Sequence, residues 1–528
     1  MDHPSRGSFL LLMAWALGVT IVGRSFTALD PDPSDAQLFA YIGLKWTQGY
    51  IPYVDIWDHK PPGIFAVNGV ACILVPKSFT VLAFLEGVFI LGCIGTVYGL
   101  TRQWQLPWPA PALATTAVAI GANLIVYNEH GNLPEVYMLW PTAMSMYCFG
   151  KAAPTFQGPW VVLAGVSAGA ATLFKPTGLA PLLAQTAWLL LLWAMGRSLS
   201  GRQLLASALT NGAGVLIAWL PAALYFWQHG AIGELVHASI LYNVRYGLAS
   251  QATGGQGLLT PFTLASTLQP LASLIVTIGI GIGLTVARVL APRHDAEPNA
   301  TAGRATCAWW LLVLLWVGAD LAGALAGGRN YRHYFLPLTS SLAVAAACTY
   351  GVLIAPRPRE AQARGIKLVI FALIIGPLLI VQAADVGQVL RWVLRPTERP
   401  GISPWQVVAH QLTGIKRPGD MLFTWDYFPG IYLATEMNSP SRHMDTHNMY
   451  DFPAAHEQYG TEIWQALRRE PPTFILDGWT TPSDEPLRAR DPLYVQFRAW
   501  LEVHYVLIGT ADGLKVYQHL RHRERIGE

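Results

Sequence analysis

Charge is scarce in this chain. Only 13% of its 528 residues are Asp, Glu, Lys or Arg, whereas 52% are hydrophobic; soluble domains carry about 25% charged residues. That balance excludes a water-soluble globule and points to an integral membrane protein. The net charge of +3 is scattered among loops without a basic stripe, which argues against a nucleic-acid partner. Cysteine is also scarce: Cys72, Cys93, Cys148, Cys307 and Cys348 all sit in apolar segments. Their spacing suits neither a metal site nor a disulfide framework, so they read as small buried hydrophobes. The sequence has no Gly-rich phosphate loop, no internal repeat and no low-complexity segment. Behind Phe9–Val22 there is no small-residue cleavage site, since Arg24 and Phe26 follow, so this run reads as a retained first helix.

In place of charge there are long apolar runs. Crossing ~30 Å of hydrocarbon takes about 20 residues, and candidate spans lie at 9–29, 80–101, 108–126, 136–150, 157–174, 177–196, 203–227, 259–289, 307–326, 334–354 and 367–389. A shorter stretch, 63–77, decides the topology. If it lies along the interface or re-enters, Arg102, Lys151, Arg197, Arg202, Arg288, Arg293 and the basic run Arg357–Lys367 all face the cytoplasm. If it crosses, all of them flip outward. The excess of Lys and Arg on cytoplasmic loops selects the first case, with about eleven spans. The outer loops are then 30–79, 127–135, 228–258 and 327–333, and the tail lies outside as well, in the periplasm of a bacterium.

The tail differs in kind. From Arg391 to Glu528 charges become frequent and apolar runs shrink to strand length, at Met421–Trp425, Thr473–Leu476, Tyr505–Gly509 and Leu514–Tyr517. Helix-like patterns at 403–414, 455–469 and 492–503 separate them. The expected organisation is a membrane domain over 1–390 and a small water-soluble α/β domain over 391–528.

Charges within spans cost about 2.5–3.5 kcal/mol each at the helix centre, so their placement is informative. Glu86, Glu135, Asp320 and Asp385 fall near the outer ends of their helices, and Lys175 lies in the Phe174-Lys175-Pro176 break on the same side. Interfacial snorkelling explains any one of them. A one-sided set suggests a polar cavity opening outward.

The densest polar chemistry lies in the first outer loop. Ser34 is a candidate N-cap, and Leu38, Phe39, Ile42 and Trp46 recur at helical spacing as an apolar stripe suited to the membrane surface. Asp35 either complements the helix dipole or does chemistry; residue types alone leave both open. Gly49 stops the helix, and Pro52, Pro61 and Pro62 stiffen an extended path that fixes Asp58, His59 and Lys60. Lys60, at the head of a Pro-Pro step, is placed to hold a lipid phosphate as a point charge or to meet anionic headgroups.

The order Asp35, Gly49, Pro52-Tyr53, Asp58-His59-Lys60-Pro61-Pro62-Gly63 resembles the first extracytoplasmic loop of the polytopic GT-C glycosyltransferases, among them the protein O-mannosyltransferases and the lipid A aminoarabinose transferases. Gly328-Arg329-Asn330-Tyr331-Arg332-His333-Tyr334-Phe335-Leu336-Pro337 is similar to a segment near the end of the membrane part of bacterial members. The resemblance implies a polyprenyl-phosphate-linked sugar donor and transfer, with inversion, to a lipid, glycan or protein acceptor at the outer face of the inner membrane. It implies Asp35 as general base and Lys60 as holder of the donor phosphate, with Arg245 as a second phosphate ligand; Lys175, in its outer-side break, is a further phosphate-binding candidate from its position. Glu135 matches an acidic position after the third span. His237, in the 228–258 loop with Tyr242, Asn243 and Tyr246, and Arg332, His333 and Asp320 are the remaining candidates for lining the site. This chain departs from the family twice. Asp35 is followed by Ala36 where an Asp-Glu pair is usual, which leaves Asp30 and Asp32 as competitors. His59 stands where the aminoarabinose transferases have a glutamate that can bind metal; if a divalent metal is bound, His59 and Asp58 are its candidate ligands.

Two other classes compete with an enzyme. A transporter or flippase of lipid-linked sugars would be expected to show repeat symmetry and broken midplane helices. A non-catalytic membrane scaffold would use the tail to bind a partner. The missing repeat and the one-sided charges favour the enzyme.

Overall fold

The computed structural model describes residues 6–29, 34–128, 131–196, 199–252, 261–290, 300–329, 331–354, 361–399, 401–479 and 490–522. Asp30 and Asp32 lie outside them. Seven of the described helices are long and apolar enough to cross a membrane: Arg6–Leu29, Phe79–Gln103, Pro176–Ala194, Gly201–Gln228, Phe262–Val286, Trp309–Ala326 and Gly365–Leu394. The other four expected spans are helices too, at Ala110–Gly121, Pro134–Lys151, Pro159–Thr172 and Leu338–Ile354, but are shorter or interrupted. Ala110–Gly121 rises only about 18 Å at ~1.5 Å per residue. It ends where Asn123 turns its amide back to the Ala119 carbonyl (2.8 Å) and to Thr20 (3.3 Å). Pro62–Leu74, within the ambiguous 63–77 stretch, has 13 residues, about 20 Å, and does not reach across on its own.

Chain contacts divide the protein into two compact units. The first comprises Met1–Leu29, Leu82–Leu224 and Gly255–Glu398. It is a helical bundle whose core is rich in alanine: Ala114, Ala117 and Ala119 of one helix and Ala343, Ala345, Ala346 and Ala347 of another are fully buried. Small side chains let helix backbones approach closely where lipid offers no hydrophobic drive for association. One polar pin runs through this unit. Glu86, fully buried, accepts hydrogen bonds from Thr27 Oγ1 (2.9 Å) and the Asn132 amide (2.6 Å), with Arg24 Nη1 at 3.4 Å. Asp385 accepts from the Ile125 amide at 2.9 Å. The structure thus gives both carboxylates backbone-holding partners within the bundle.

The second unit gathers three separated stretches, Asp30–Val81, Tyr225–Gly254 and Arg399–Glu528. Its sheet has the order β1-β2-β4-β3, with β1 at Leu422–Trp425, β2 at Phe474–Asp477, β3 at Tyr505–Ala511 and β4 at Leu514–His519. The β1/β2 pair is parallel and the others are antiparallel. Helices Pro404–Ile415, Pro453–Arg469 and Pro492–His504 complete the expected α/β pattern. Trp425 stacks on Phe497 (centroids 4.3 Å apart) at its core.

The Ser34–Thr47 helix belongs to this unit. Residues 36–45 are buried all round, in contrast to the one-sided apolar stripe expected from the sequence. Its neighbours explain why. Gly43 packs so closely on the Pro62–Leu74 helix that a β-carbon there would lie 2.6 Å from the Gly69 nitrogen and 2.7 Å from the Asn68 carbonyl carbon. On another side Tyr41 donates to the Met437 carbonyl (2.8 Å) and Lys45 to that of Glu436 (3.0 Å). Glu436 also pairs with Lys77.

Candidate active site

Asp35 stands in the first turn of the Ser34–Thr47 helix and is partly exposed. Its Oδ1 accepts a hydrogen bond from the hydroxyl of Tyr427, in the tail, at 2.8 Å. One helical turn along from Asp35, Phe39 lies beneath the Lys60 ammonium, 6.0 Å from ring centroid to nitrogen. Asp58 is the third member. It is almost fully buried, and its Oδ1 accepts from the Lys60 amide at 2.7 Å, an Asx turn that sets the direction of the His59-Lys60-Pro61 step. Burial pushes the Asp58 carboxyl up, Lys60 opposes this, and the nearby Asp35 charge adds to it.

The His59-Lys60 step is held from several sides. Tyr53 donates to the Lys60 carbonyl (2.9 Å) and Asn243 to the His59 carbonyl (2.7 Å). Asn243 ends a π-helical turn over His237–Tyr242, and its amide also covers the Ala238 and Ser239 carbonyls (3.2 and 3.1 Å). A wide turn leaves such groups without their ordinary helical partners. The His59 ring stacks on Tyr242 and Tyr246, with centroids 5.3 and 5.9 Å apart. His237 is half-buried, and burial lowers its pKa against the pull of Glu234. Arg245 is exposed on the Asn243–Ala252 helix.

Of the four side-chain donor atoms that His59 and Asp58 could offer a metal, two are already engaged. The Lys60 ammonium lies 2.8 Å from His59 Nε2 and, able only to donate, takes that lone pair; Asp58 Oδ1 is committed to the backbone. Among the described residues no three His, Cys, Asp or Glu side chains converge as a metal site.

The tail contributes a clamp that sequence reading missed. Arg442 grips Glu462 with two nitrogens, Nε to Oε2 at 2.9 Å and Nη2 to Oε1 at 3.1 Å. Its Nη1 reaches Glu234 (2.9 Å) and the Tyr53 carbonyl (3.3 Å), and its own carbonyl accepts from the Trp57 amide (2.9 Å). One guanidinium therefore ties both loops to the tail. Burial works against ionisation of Glu462, but His443 and Arg442 overcome it and hold the carboxyl down to about 2. Trp57 fills the space between Tyr242, His443 and Tyr459, with centroids 4.9 to 5.1 Å away. A further carboxyl, Asp445, is pushed up to about 6 by burial, with Asp58 and Asp426 adding to the effect and His447 opposing it.

A separate cluster lies in the helical unit. Lys175 pairs with Glu135, and its ammonium sits 3.3 Å from the Tyr334 ring centroid. His333 is near enough to act on the same carboxylate. Lys175 is extended because Pro176 follows it, which turns its side chain out of the helix path. Arg332 is exposed beside the buried His333. Asp320 is buried, with Ser341 and Trp316 as neighbours.

No protein-family model matches the chain, and no curated protein matches it. Solved structures do. ArnT from Cupriavidus metallidurans bound to undecaprenyl phosphate is 14% identical and superposes with a TM-score of 0.56, covering 97% of this chain and 98% of that one. The same protein in the apo state gives a TM-score of 0.40 at 16% identity over 97% of each chain. The first similarity extends along nearly the full length of both chains and shows a common fold, a polytopic helical membrane fold with a small α/β domain at the C-terminus.

Proposed function

We propose that this chain, whose fold is that of the GT-C membrane glycosyltransferases, moves a sugar from a polyprenyl-phosphate-linked donor to a lipid, glycan or protein hydroxyl at the outer face of a bacterial inner membrane. The tail and both loops of the second unit lie on that outer side. The solved relative in the superposition holds undecaprenyl phosphate, and the same class of lipid serves here as leaving group.

The observation that carries this is the joining of Asp35 and Lys60 in one unit. Asp58 is acted on by both charges, and Phe39, one turn from Asp35, carries the Lys60 ammonium. A carboxylate and a cation so placed divide the work of an inverting transfer. Asp35 takes the proton from the acceptor hydroxyl as its oxygen bonds to the anomeric carbon. The bond from that carbon to the phosphate oxygen breaks with its electron pair, and Lys60 stabilises the charge gathering on the polyprenyl phosphate. Arg245 is the second phosphate contact. Lys175, already neutralised by Glu135, holds its cluster together instead.

The test uses purified protein in detergent with undecaprenyl-phosphate-linked sugars extracted from the cell envelope. The expected result is release of undecaprenyl phosphate matched by an acceptor heavier by one sugar. Failure to consume any such donor, with folded protein and envelope acceptors present, rejects the proposal.

A further inference from the structure

Strand β1 ends at Trp425, and the next residue, Asp426, has a φ of 103°. A non-glycine residue is strained in such a backbone and keeps it only when its surroundings insist. Here they do. The Asp426 amide donates to Thr446 Oγ1 (3.0 Å), and its own Oδ1 accepts from the Tyr427 amide (2.8 Å). Gly478 leaves the room required, since a β-carbon there would come within 2.9 Å of Asp426 Cβ and 2.5 Å of the Phe428 ring. The kink delivers Tyr427 to Asp35 Oδ1 at 2.8 Å, between residues 392 positions apart. His447 packs against the Tyr427 ring, centroids 4.7 Å apart. Burial first, then the charges of Asp35, Asp445 and Asp58, holds the Tyr427 hydroxyl well above the ordinary phenol range, so it keeps its proton and remains a donor.

We infer that Tyr427 is a positioning residue for the general base: it fixes one oxygen of Asp35 and leaves Oδ2 to receive the acceptor's proton. This rests on the transferase reading above. During transfer the acceptor proton moves to Oδ2, the new glycosidic bond forms and the phosphate leaves with its electron pair. The Tyr427 proton stays on its own oxygen. The C-terminal domain thus acts on the reaction by orienting the base, from the end of a strand that contacts no substrate in this scheme.

Tyr427→Phe keeps the ring and removes the hydroxyl. Misplacing a reacting group by about 1 Å can cost on the order of 100-fold, so kcat should fall about 10- to 100-fold, with KM for the donor within about twofold and the melting temperature little changed. An Asp35→Glu background, whose carboxylate is displaced by a methylene, separates this from a general weakening: there Tyr427→Phe should cost less than about twofold. As a stability control, Tyr450→Phe breaks another phenol–carboxylate bond, to Asp491, and should lower the melting temperature without lowering kcat. The inference is overturned if Tyr427→Phe retains wild-type kcat, or if it costs the same factor in both backgrounds. If the wild-type chain consumes no donor at all, the transferase reading itself falls and takes this role with it. Wild-type turnover combined with a fully active Tyr427→Phe sinks the tyrosine's role alone.

Discussion

Replacing Arg442 by glutamine removes a guanidinium that makes four hydrogen bonds at once, to Glu462 twice, to Glu234 and to the Tyr53 carbonyl. Hydrogen bonds to charged groups contribute about 1.5–3 kcal/mol each where desolvated. The Arg442 side chain is 20% exposed, and those of Glu462 and Glu234 are 33% and 40% exposed, so solvent screens part of this. A loss of about 2–4 kcal/mol is expected, which lowers the melting temperature of a unit of this size by about 5–10 °C. Acid sensitivity supplies a second reading. The Glu462 carboxyl is depressed to about 2 in the folded protein, from an ordinary value of about 4.3. Its contribution is therefore complete above pH ~4.3 and lost as pH falls towards ~2. At about 1.4 kcal/mol per unit the shift is worth about 3 kcal/mol, reduced to roughly 1–2 by exposure. In Arg442→Gln the depression of Glu462 is smaller, so less stability is lost through this group as pH falls from ~4.3 towards ~2, and the gap in melting temperature from wild type should narrow in acid. Thermal unfolding of detergent-solubilised protein from pH 3 to 7 measures both effects. A variant within about 1 °C of wild type, with the same acid transition, would refute the clamp.

Two further outcomes follow from the geometry. Gly43→Ala places a β-carbon against the Gly69 backbone, which cannot rotate away; about 1–3 kcal/mol of destabilisation and a drop in kcat are expected, and an unchanged melting temperature contradicts the close crossing. Lys60→Gln removes the cation while keeping the Asp58-to-backbone turn, so kcat/KM should fall about 10²- to 10³-fold with stability held; a donor-saturation and melting-temperature comparison checks it.

Much of the fold could be read from the sequence because its signals are local. Apolar length marked the helices, and all four strands of the tail begin and end within two residues of the apolar runs at 421–425, 473–476, 505–509 and 514–517. The first loop was conspicuous for the same reason: Asp35, Asp58, His59 and Lys60 lie close together in a chain with few charges. Arg442 and Tyr427 gave no comparable sign, because each acts on residues roughly 200 to nearly 400 positions away and neither belongs to a local motif. One clue to Tyr427 was available, its place just past the carboxyl end of a parallel strand, where α/β sheets tend to carry functional groups. Glu86 and Asp385 have partners that the sequence does not reveal. Their position near helix ends suggested a cavity lining, but hydropathy cannot reveal that the Asn132 and Ile125 amides already occupy those carboxylates. The Ser34–Thr47 helix looked amphipathic for a related reason, since Tyr41 and Lys45 count as polar until their partners at 436 and 437 are known.

Asp35→Asn tests the role of Asp35 most directly, because it keeps the shape of the side chain and its contact with Tyr427 while removing the base. Purified variant and wild type, matched for melting temperature, are given the same undecaprenyl-phosphate-linked sugars, and released undecaprenyl phosphate is measured over time. A rate at least about 100-fold lower is expected, the low end of what a positioned general base contributes, with donor binding retained. Turnover at the wild-type rate would contradict that role.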